Sequence, residues 1–277
     1  ATLVRRVSSA LIGGGAPLIV RAFATKAQVD GNVFFSRRCD FIYGVGDYEK
    51  QMYDFGVPEV AFAGRSNVGK SSLLNTLMKR KGLVKTSKRP GRTQQLNYFK
   101  CDSGLILVDM PGYGFAKAPT AVKRDWSQLI HDYVIDRPTD GCLMDIFVLI
   151  DSRHGVKQND LFFLEFLHKS NAPFKVLMTK CDKVNDFSGT LAKRNIVKAT
   201  AELGLNIDED RILLTSAKTG AGMDALRDHL AQRAIEHKQV MKKMKKQSSP
   251  HTNHGDAERR EEVDGREEEE DWLRARR

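Results

Sequence analysis

The chain has 277 residues, 41% hydrophobic and 29% charged, with 14 phenylalanines, so it can bury a sizeable core and is neither a short disulfide-stapled scaffold nor a disordered chain. Lys and Arg number 45 against 35 Asp and Glu, and the resulting +10 favours polyanions such as RNA, DNA or anionic lipid. No run of about 18 consecutive apolar residues occurs, so no membrane span is expected.

Residues 1–39 stand apart in composition. Arg5, Arg6, Arg21 and Lys26 lie among Ser8, Ser9 and many alanines, and Asp30 is the only acid before Phe35. Such Arg-rich, acid-poor ends suit import across a membrane that is negative inside, and Arg21-Ala22-Phe23-Ala24 resembles a mitochondrial processing site. A transit peptide leading to the mitochondrial matrix is the expectation, with an ordinary flexible terminus as the alternative.

Between residues 40 and 236, short apolar runs alternate with amphipathic stretches. The runs lie at 59–63, 96–99, 105–108, 146–150, 175–178 and 211–214, and four of them are almost continuously apolar, as strands covered on both faces are. Helical periodicity occupies 71–78, 122–134, 159–168, 191–203 and 223–235. This alternation predicts one α/β domain, a mostly parallel six-stranded sheet with helices on both faces. Cys39, Cys101, Cys142 and Cys181 form no C-x-x-C pair, so reduced thiols are expected rather than disulfides or a zinc site.

Residues 237–277 form a charged extension. Lys238, Lys242, Lys243, Lys245 and Lys246 prolong the last predicted helix until Ser248-Ser249-Pro250 stops it, and an acidic stretch at 267–271 follows. A largely disordered tail is expected, with docking to a partner as the alternative. No additional apolar stripe demands a dimer, so a monomer is expected.

The chemistry begins at Gly64-Arg65-Ser66-Asn67-Val68-Gly69-Lys70-Ser71, which fits G-x-x-x-x-G-K-[ST] and runs through Ser72 into a predicted helix directly after a predicted strand. The glycines let backbone N–H groups face phosphate oxygens, Lys70 supplies a point charge, and the Ser71 hydroxyl can join a Mg²⁺ shell. Asp109-Met110-Pro111-Gly112 ends another apolar run. There the Asp109 carboxylate can hold Mg²⁺ through water, and the Gly112 N–H can sense a γ-phosphate.

Thr179-Lys180-Cys181-Asp182 ends the run at 175–178. A carboxylate at Asp182 can accept from guanine N1–H and N2–H₂ together, a donor pair adenine lacks, and Lys180 can lay its stem over the base. Thr215-Ser216-Ala217-Lys218 can offer the Ala217 N–H to guanine O6. These loops favour GTP and GDP over adenine nucleotides. A small-molecule phosphotransferase would not need them, and a structural nucleotide module would turn nothing over.

In the order of these motifs the chain resembles the translation-factor-related GTPases, and more narrowly the EngB family of ribosome-assembly GTPases, also called YihA or YsxC. The narrow match rests on residues 58–72, on Lys88-Arg89-Pro90-Gly91-Arg92-Thr93-Gln94, on Asp109 to Gly114 and on Asp151-Ser152-Arg153-His154, within roughly 41–234. The resemblance implies that Thr93 is the switch threonine reaching Mg²⁺ and the γ-phosphate, with a turn or capping role as the alternative. It implies a switch that binds an immature large ribosomal subunit, rRNA and proteins together, and with the N-terminal composition a mitochondrial one.

Many GTPases orient the attacking water with a glutamine after D-x-x-G, and here that position is Tyr113. A phenol cannot both donate and accept as an amide does, so slow intrinsic hydrolysis is expected, at or below roughly 10⁻² s⁻¹, with activation by the ribosomal partner. The resemblance further implies that Asn67 helps bind K⁺; the alternative is that Asn67 only tolerates a left-handed backbone. Lys70, Thr93, Gly112 and Asn67 are thus the candidate catalytic residues. Arg153 and His154 read as structural or partner-facing, and His131 and His168 as surface or half-buried packing.

Overall fold

The computed structural model describes residues 29–46, 56–85, 95–113, 120–137, 141–184 and 189–248. Seven strands, β1 (Cys39–Val45), β2 (Glu59–Gly64), β3 (Leu96–Cys101), β4 (Leu105–Asp109), β5 (Leu143–Asp151), β6 (Phe174–Thr179) and β7 (Ile212–Leu214), make one sheet in the order β1-β3-β4-β2-β5-β6-β7. From β4 to β7 neighbouring strands are parallel, while β3 is antiparallel to both β4 and β1. The helices are α1 (Gly31–Phe34), α2 (Lys70–Leu77), α3 (Thr120–Asp136), α4 (Gln158–Lys169), α5 (Thr190–Ala201) and α6 (Met223–Ser248).

The parallel strands read as unbroken apolar runs because successive side chains enter different cores. Ala61, Ala63, Ile106, Val108, Ile146 and Val148 point to one face, where they meet Tyr133 of α3, Leu164 of α4 and Ile196 of α5. Val60, Phe62, Leu105, Leu107, Phe147 and Leu149 point to the other, against Leu73 and Leu77 of α2 and Leu226 and Leu230 of α6. Both cores are closed, which fixes the strand ends that carry the loops.

The strand beyond the six expected is β1. It lies at the sheet edge with a half-exposed middle, and Asp40 and Gly44 interrupt its apolar pattern. Edge strands need bury only part of one face, so their sequences carry a weak signal. The packed unit also starts before residue 40: Phe35 is buried, the Gly31 N–H donates to Asp228 of α6 at 2.7 Å, and Asn32 donates to Asp224 at 3.0 Å.

The expectation of reduced thiols fails at one pair. Cys39 and Cys101 face each other across β1 and β3, with Cα atoms 4.1 Å apart, and are joined as a disulfide. Spacing could not show this, because the pairing follows from antiparallel register between segments 62 residues apart. Cys142 and Cys181 take no part in the disulfide. At the other end of α6, the helix continues unbroken through residue 237 to Ser248, as its lysine-rich sequence led one to expect. Among the described residues no helix is long and apolar enough to cross a membrane.

One buried ion pair anchors the start of the central strand. Glu59, the first residue of β2, accepts from Arg137 Nε at 3.0 Å and again from Nη2, and both side chains are almost fully buried. Burial works against the guanidinium charge, but the hydrogen bond and charge of Glu59 outweigh it and push the Arg137 pKa upward.

Candidate functional site

The site lies where β2, β4, β5 and β6 end. At the exit of β2 a Cβ on Gly64 would approach the Val68 side chain at 2.9 Å and Leu149 Cβ at 3.0 Å, so only glycine lets the loop turn this tightly over β5. Asn67 is left-handed at φ 62° and Gly69 at φ 108°, after which α2 begins at Lys70. No side chain caps α2, which leaves the first-turn N–H groups, including those near Ser71 and Ser72, directed at the loop. This is an anion cradle made of backbone.

Lys70 reaches across the cradle to form an ion pair with Asp109 at the end of β4, both side chains being largely buried. The expected phosphate lysine and magnesium carboxylate therefore converge. Among the described residues no group of three or more His, Cys, Asp or Glu could hold a metal alone. A cation at this place would rely on Asp109, hydroxyls such as Ser71, and ligand phosphates, the donor set that suits Mg²⁺. Thr93 lies outside the described residues, with the rest of residues 88–94.

The base-reading residues are knitted to that cradle. The buried Thr179 hydroxyl donates to Val68 O at 2.7 Å. Lys180, left-handed at φ 58°, donates through Nζ to Asn67 O at 2.6 Å and to Asp151 Oδ2 at 2.9 Å. Ser216 donates to Asp182 Oδ1 at 2.7 Å and accepts from the Thr219 N–H at 3.2 Å, while the Cys181 N–H reaches Thr215 O at 3.2 Å. The Ser216 hydrogen bond, helped by the charges of Lys183 and Lys218, lowers the Asp182 pKa against the pull of desolvation. Asp182 is thus an ionised acceptor pair held in place, as reading two adjacent donors requires.

Asp151 has a larger part than the sequence suggested. Arg153 grips it with Nε on Oδ1 at 3.0 Å and Nη2 on Oδ2 at 2.7 Å, and the same carboxylate orients Lys180. Burial alone would raise its pKa, but these donors hold it far below the usual carboxylate range. A run of charged residues after a strand gives no hint of such a contact. His154 lends its backbone N–H to Asp151 O at 3.0 Å, and His131 is an exposed side chain beside Asp132, stacked on Phe166.

Tyr113, in the glutamine position, points away from solvent. Its ring stacks on Phe163 with centroids 4.7 Å apart, and its hydroxyl donates to Asp160 Oδ1 at 2.9 Å. Burial first, then the Asp160 charge, raises the phenol pKa well above 10.0. Arg65 of the cradle donates through Nε to the same oxygen at 3.1 Å, and Asp160 Oδ2 accepts from the Lys157 N–H at 2.8 Å. Asp160 escaped the sequence reading: an acid in the first turn of a helix looks like an ordinary cap.

A glycine cradle entering a helix, a carboxylate at the neighbouring strand end and a T-K-x-D loop bonded to an S-A-K loop define a P-loop GTPase. The family described as "50S ribosome-binding GTPase" matches residues 59–180. The chain is 41% identical over 214 residues to the "Probable GTP-binding protein EngB" of Rhodospirillum rubrum, covering 75% of this chain and 90% of that protein. It is 43% identical over 221 residues to the protein of the same description from Brucella melitensis, covering 76% and 89%. The chain belongs to the EngB family of GTPases. A solved structure titled "Crystal structure of a probable GTP-binding protein engB" shares the fold, at a TM-score of 0.51 and 23% identity over 66% of this chain and 99% of that one.

Proposed function

We propose that this GTPase is a nucleotide-driven switch in the assembly of the large ribosomal subunit of mitochondria. The observation that carries the reading is the match over 59–180 to a ribosome-binding GTPase family, on a chain whose phosphate and base loops are bonded into one unit. Asp182 accepts from guanine N1–H and N2–H₂, the Lys180 stem covers the base, and the Ala217 N–H meets O6, with Ser216 and Lys218 holding Asp182 ionised. The cradle from Gly64 through Arg65, Ser66, Asn67, Val68 and Gly69 to Lys70, Ser71 and Ser72 binds the phosphates.

Ser71, Asp109 and Thr93 would hold Mg²⁺, which lends positive charge to the phosphate oxygens. The Lys70–Asp109 pair supports this: Asp109 already attracts a cation, and a phosphate that draws Lys70 away frees its oxygens. Gly112 and Thr93 sense the γ-phosphate. Asn67 contributes to a K⁺ site through its exposed side chain. With Tyr113 committed to Asp160, intrinsic hydrolysis is slow, roughly 10⁻² s⁻¹ or below, and rises on the ribosomal particle.

The acid-poor, arginine-bearing N-terminus supports import into the mitochondrial matrix. Contact with rRNA is supported by the +10 charge and by a basic cluster at the far end of α6. Within it Lys238 is turned inward, burial and then the charges of Lys242 and Arg37 depressing its pKa while its Nζ donates to Ser103 O at 3.1 Å, so the contact falls to the exposed Lys242 and Lys243.

Sedimentation of tagged full-length chain from mitochondria tests the reading. Co-migration with particles containing large-subunit rRNA is expected with a non-hydrolysable GTP analogue and not with GDP. Residence outside mitochondria, or identical migration in both nucleotide states, overturns it.

A further inference from the structure

Asp160 is fully buried, yet its partners come from two different nucleotide loops. Capping α4 requires only the bond from the Lys157 N–H to Oδ2, and Oδ1 is left for Tyr113 and Arg65. Burying a carboxylate is costly unless each of its oxygens is well bonded. Three donors offset part of that cost here, and two of them belong to the site.

The segment between Asp109 and Tyr113 is pinned along the exit of β2. The Met110 N–H donates to Phe62 O at 3.0 Å, and the Tyr113 N–H to Gly64 O at 3.3 Å, making a parallel bridge between Arg65 and Tyr113. Gly112 lies between these two attachments. The second is the longer and weaker, and it is the one that the Tyr113 hydroxyl reinforces through Asp160.

We propose that Asp160 is a positioning residue for the hydrolytic site: by gripping Tyr113 and Arg65 together it fixes Gly112 against the phosphate cradle, so that triphosphate binding meets an already ordered Gly112 N–H. Tyr113 is then neither a failed glutamine nor a catalytic residue. It is the tether by which α4 holds this switch segment. A group that orders a backbone donor before ligand arrives reduces the entropy lost on binding, and the benefit goes only to a ligand that uses the donor. Among guanine nucleotides that ligand is the triphosphate.

The inference rests on the nucleotide reading above, and one set of titrations separates the two. Wild-type binding of GDP and of a non-hydrolysable GTP analogue tests the reading; the ratio of the two affinities in variants tests the inference. Tyr113→Phe removes one hydroxyl and leaves the ring on Phe163, so the fold is kept. Analogue affinity should fall about tenfold while GDP affinity changes by less than about twofold. Asp160→Asn should shift the ratio in the same direction, and the double variant should be no worse than the more affected single variant, since both break one linkage. Equal losses for both nucleotides would mark Asp160 as merely structural and overturn the proposal, as would an unchanged ratio or additive effects.

Discussion

The Thr179 hydroxyl donates to the Val68 carbonyl at 2.7 Å across 111 residues of sequence, and so makes the base loop and the phosphate cradle one mechanical unit. Thr179→Val keeps the shape and deletes the donor, leaving a buried carbonyl without that bond. A cost of about 1–2 kcal/mol, or roughly tenfold in affinity, should fall equally on GDP and GTP analogue, because both nucleotides span the same two loops. Titration with a fluorescent nucleotide of each kind checks it; a loss confined to one of them would show that the loops are not coupled in this way. The equal loss also contrasts with the triphosphate-specific loss expected at Tyr113.

Asp182 carries the choice of base. Its carboxylate, fixed by Ser216 at 2.7 Å, offers two acceptors, which guanine matches with two donors. Asp182→Asn replaces one acceptor with a donor, which suits xanthine, whose C2 carries a carbonyl in place of the amine. Guanine nucleotide affinity should drop by about a hundredfold and xanthine nucleotide affinity should rise, because the charge-assisted pair of hydrogen bonds to guanine is lost. Competition binding with both diphosphates is decisive, and an Asn variant that still prefers guanine would remove Asp182 from the base site.

At the start of the same central strand, the Glu59–Arg137 pair should matter for stability and leave nucleotide binding alone. It lies at the opposite end of β2 from Gly64. Arg137→Met takes the positive charge from a buried carboxylate that keeps only neutral donors such as the Tyr133 hydroxyl, and should destabilise the fold by about 3 kcal/mol in urea unfolding, while Glu59→Leu combined with it should recover most of the loss. GDP affinity of folded protein should be unchanged in both variants. A double variant as unstable as the single one would mean that packing and not charge burial sets the cost.

The nucleotide loops were legible in the sequence because their backbone geometry restricts residue choice locally: Gly64 has no room for a Cβ and Gly69 sits at φ 108°. The central strands were legible because two covered faces demand continuous apolar runs. β1 was not, since half its surface is free of that demand. The Cys39–Cys101 bond depends on register, and Asp160 depends on partners 47 and 95 residues away, neither of which a local pattern encodes.

That disulfide closes β1 onto β3 across a separation of 62 residues, which by chain entropy alone corresponds to about 4 kcal/mol. Cys101→Ser should lower the urea midpoint of oxidised protein by a margin that disappears when wild type is measured under reductant. A Cys142→Ser variant, which keeps the Cys39–Cys101 bond, should respond to reductant as wild type does. Equal midpoints for oxidised and reduced wild type would show that the bond adds no net stability.

Two buried carboxylates should give stability profiles of opposite slope against pH. Burial raises the Asp160 pKa from 3.8, outweighing the bonds from Lys157, Arg65 and Tyr113, so the native state keeps this proton to higher pH than the unfolded chain does. Its contribution is therefore greatest below the unfolded value and declines as pH rises through the native one. Asp151 runs the other way: Arg153 and Lys180 overcome burial and hold its native pKa below 3.8. Its contribution is complete above the ordinary carboxylate range and is lost as pH falls toward the native value. Urea midpoints of wild type, Asp160→Asn and Asp151→Asn between about pH 3 and pH 7 isolate each effect by difference. The advantage of wild type over Asp160→Asn should shrink with rising pH, and its advantage over Asp151→Asn should grow and then level off. Two differences that move in the same direction would mean that one of these carboxylates does not occupy the environment described.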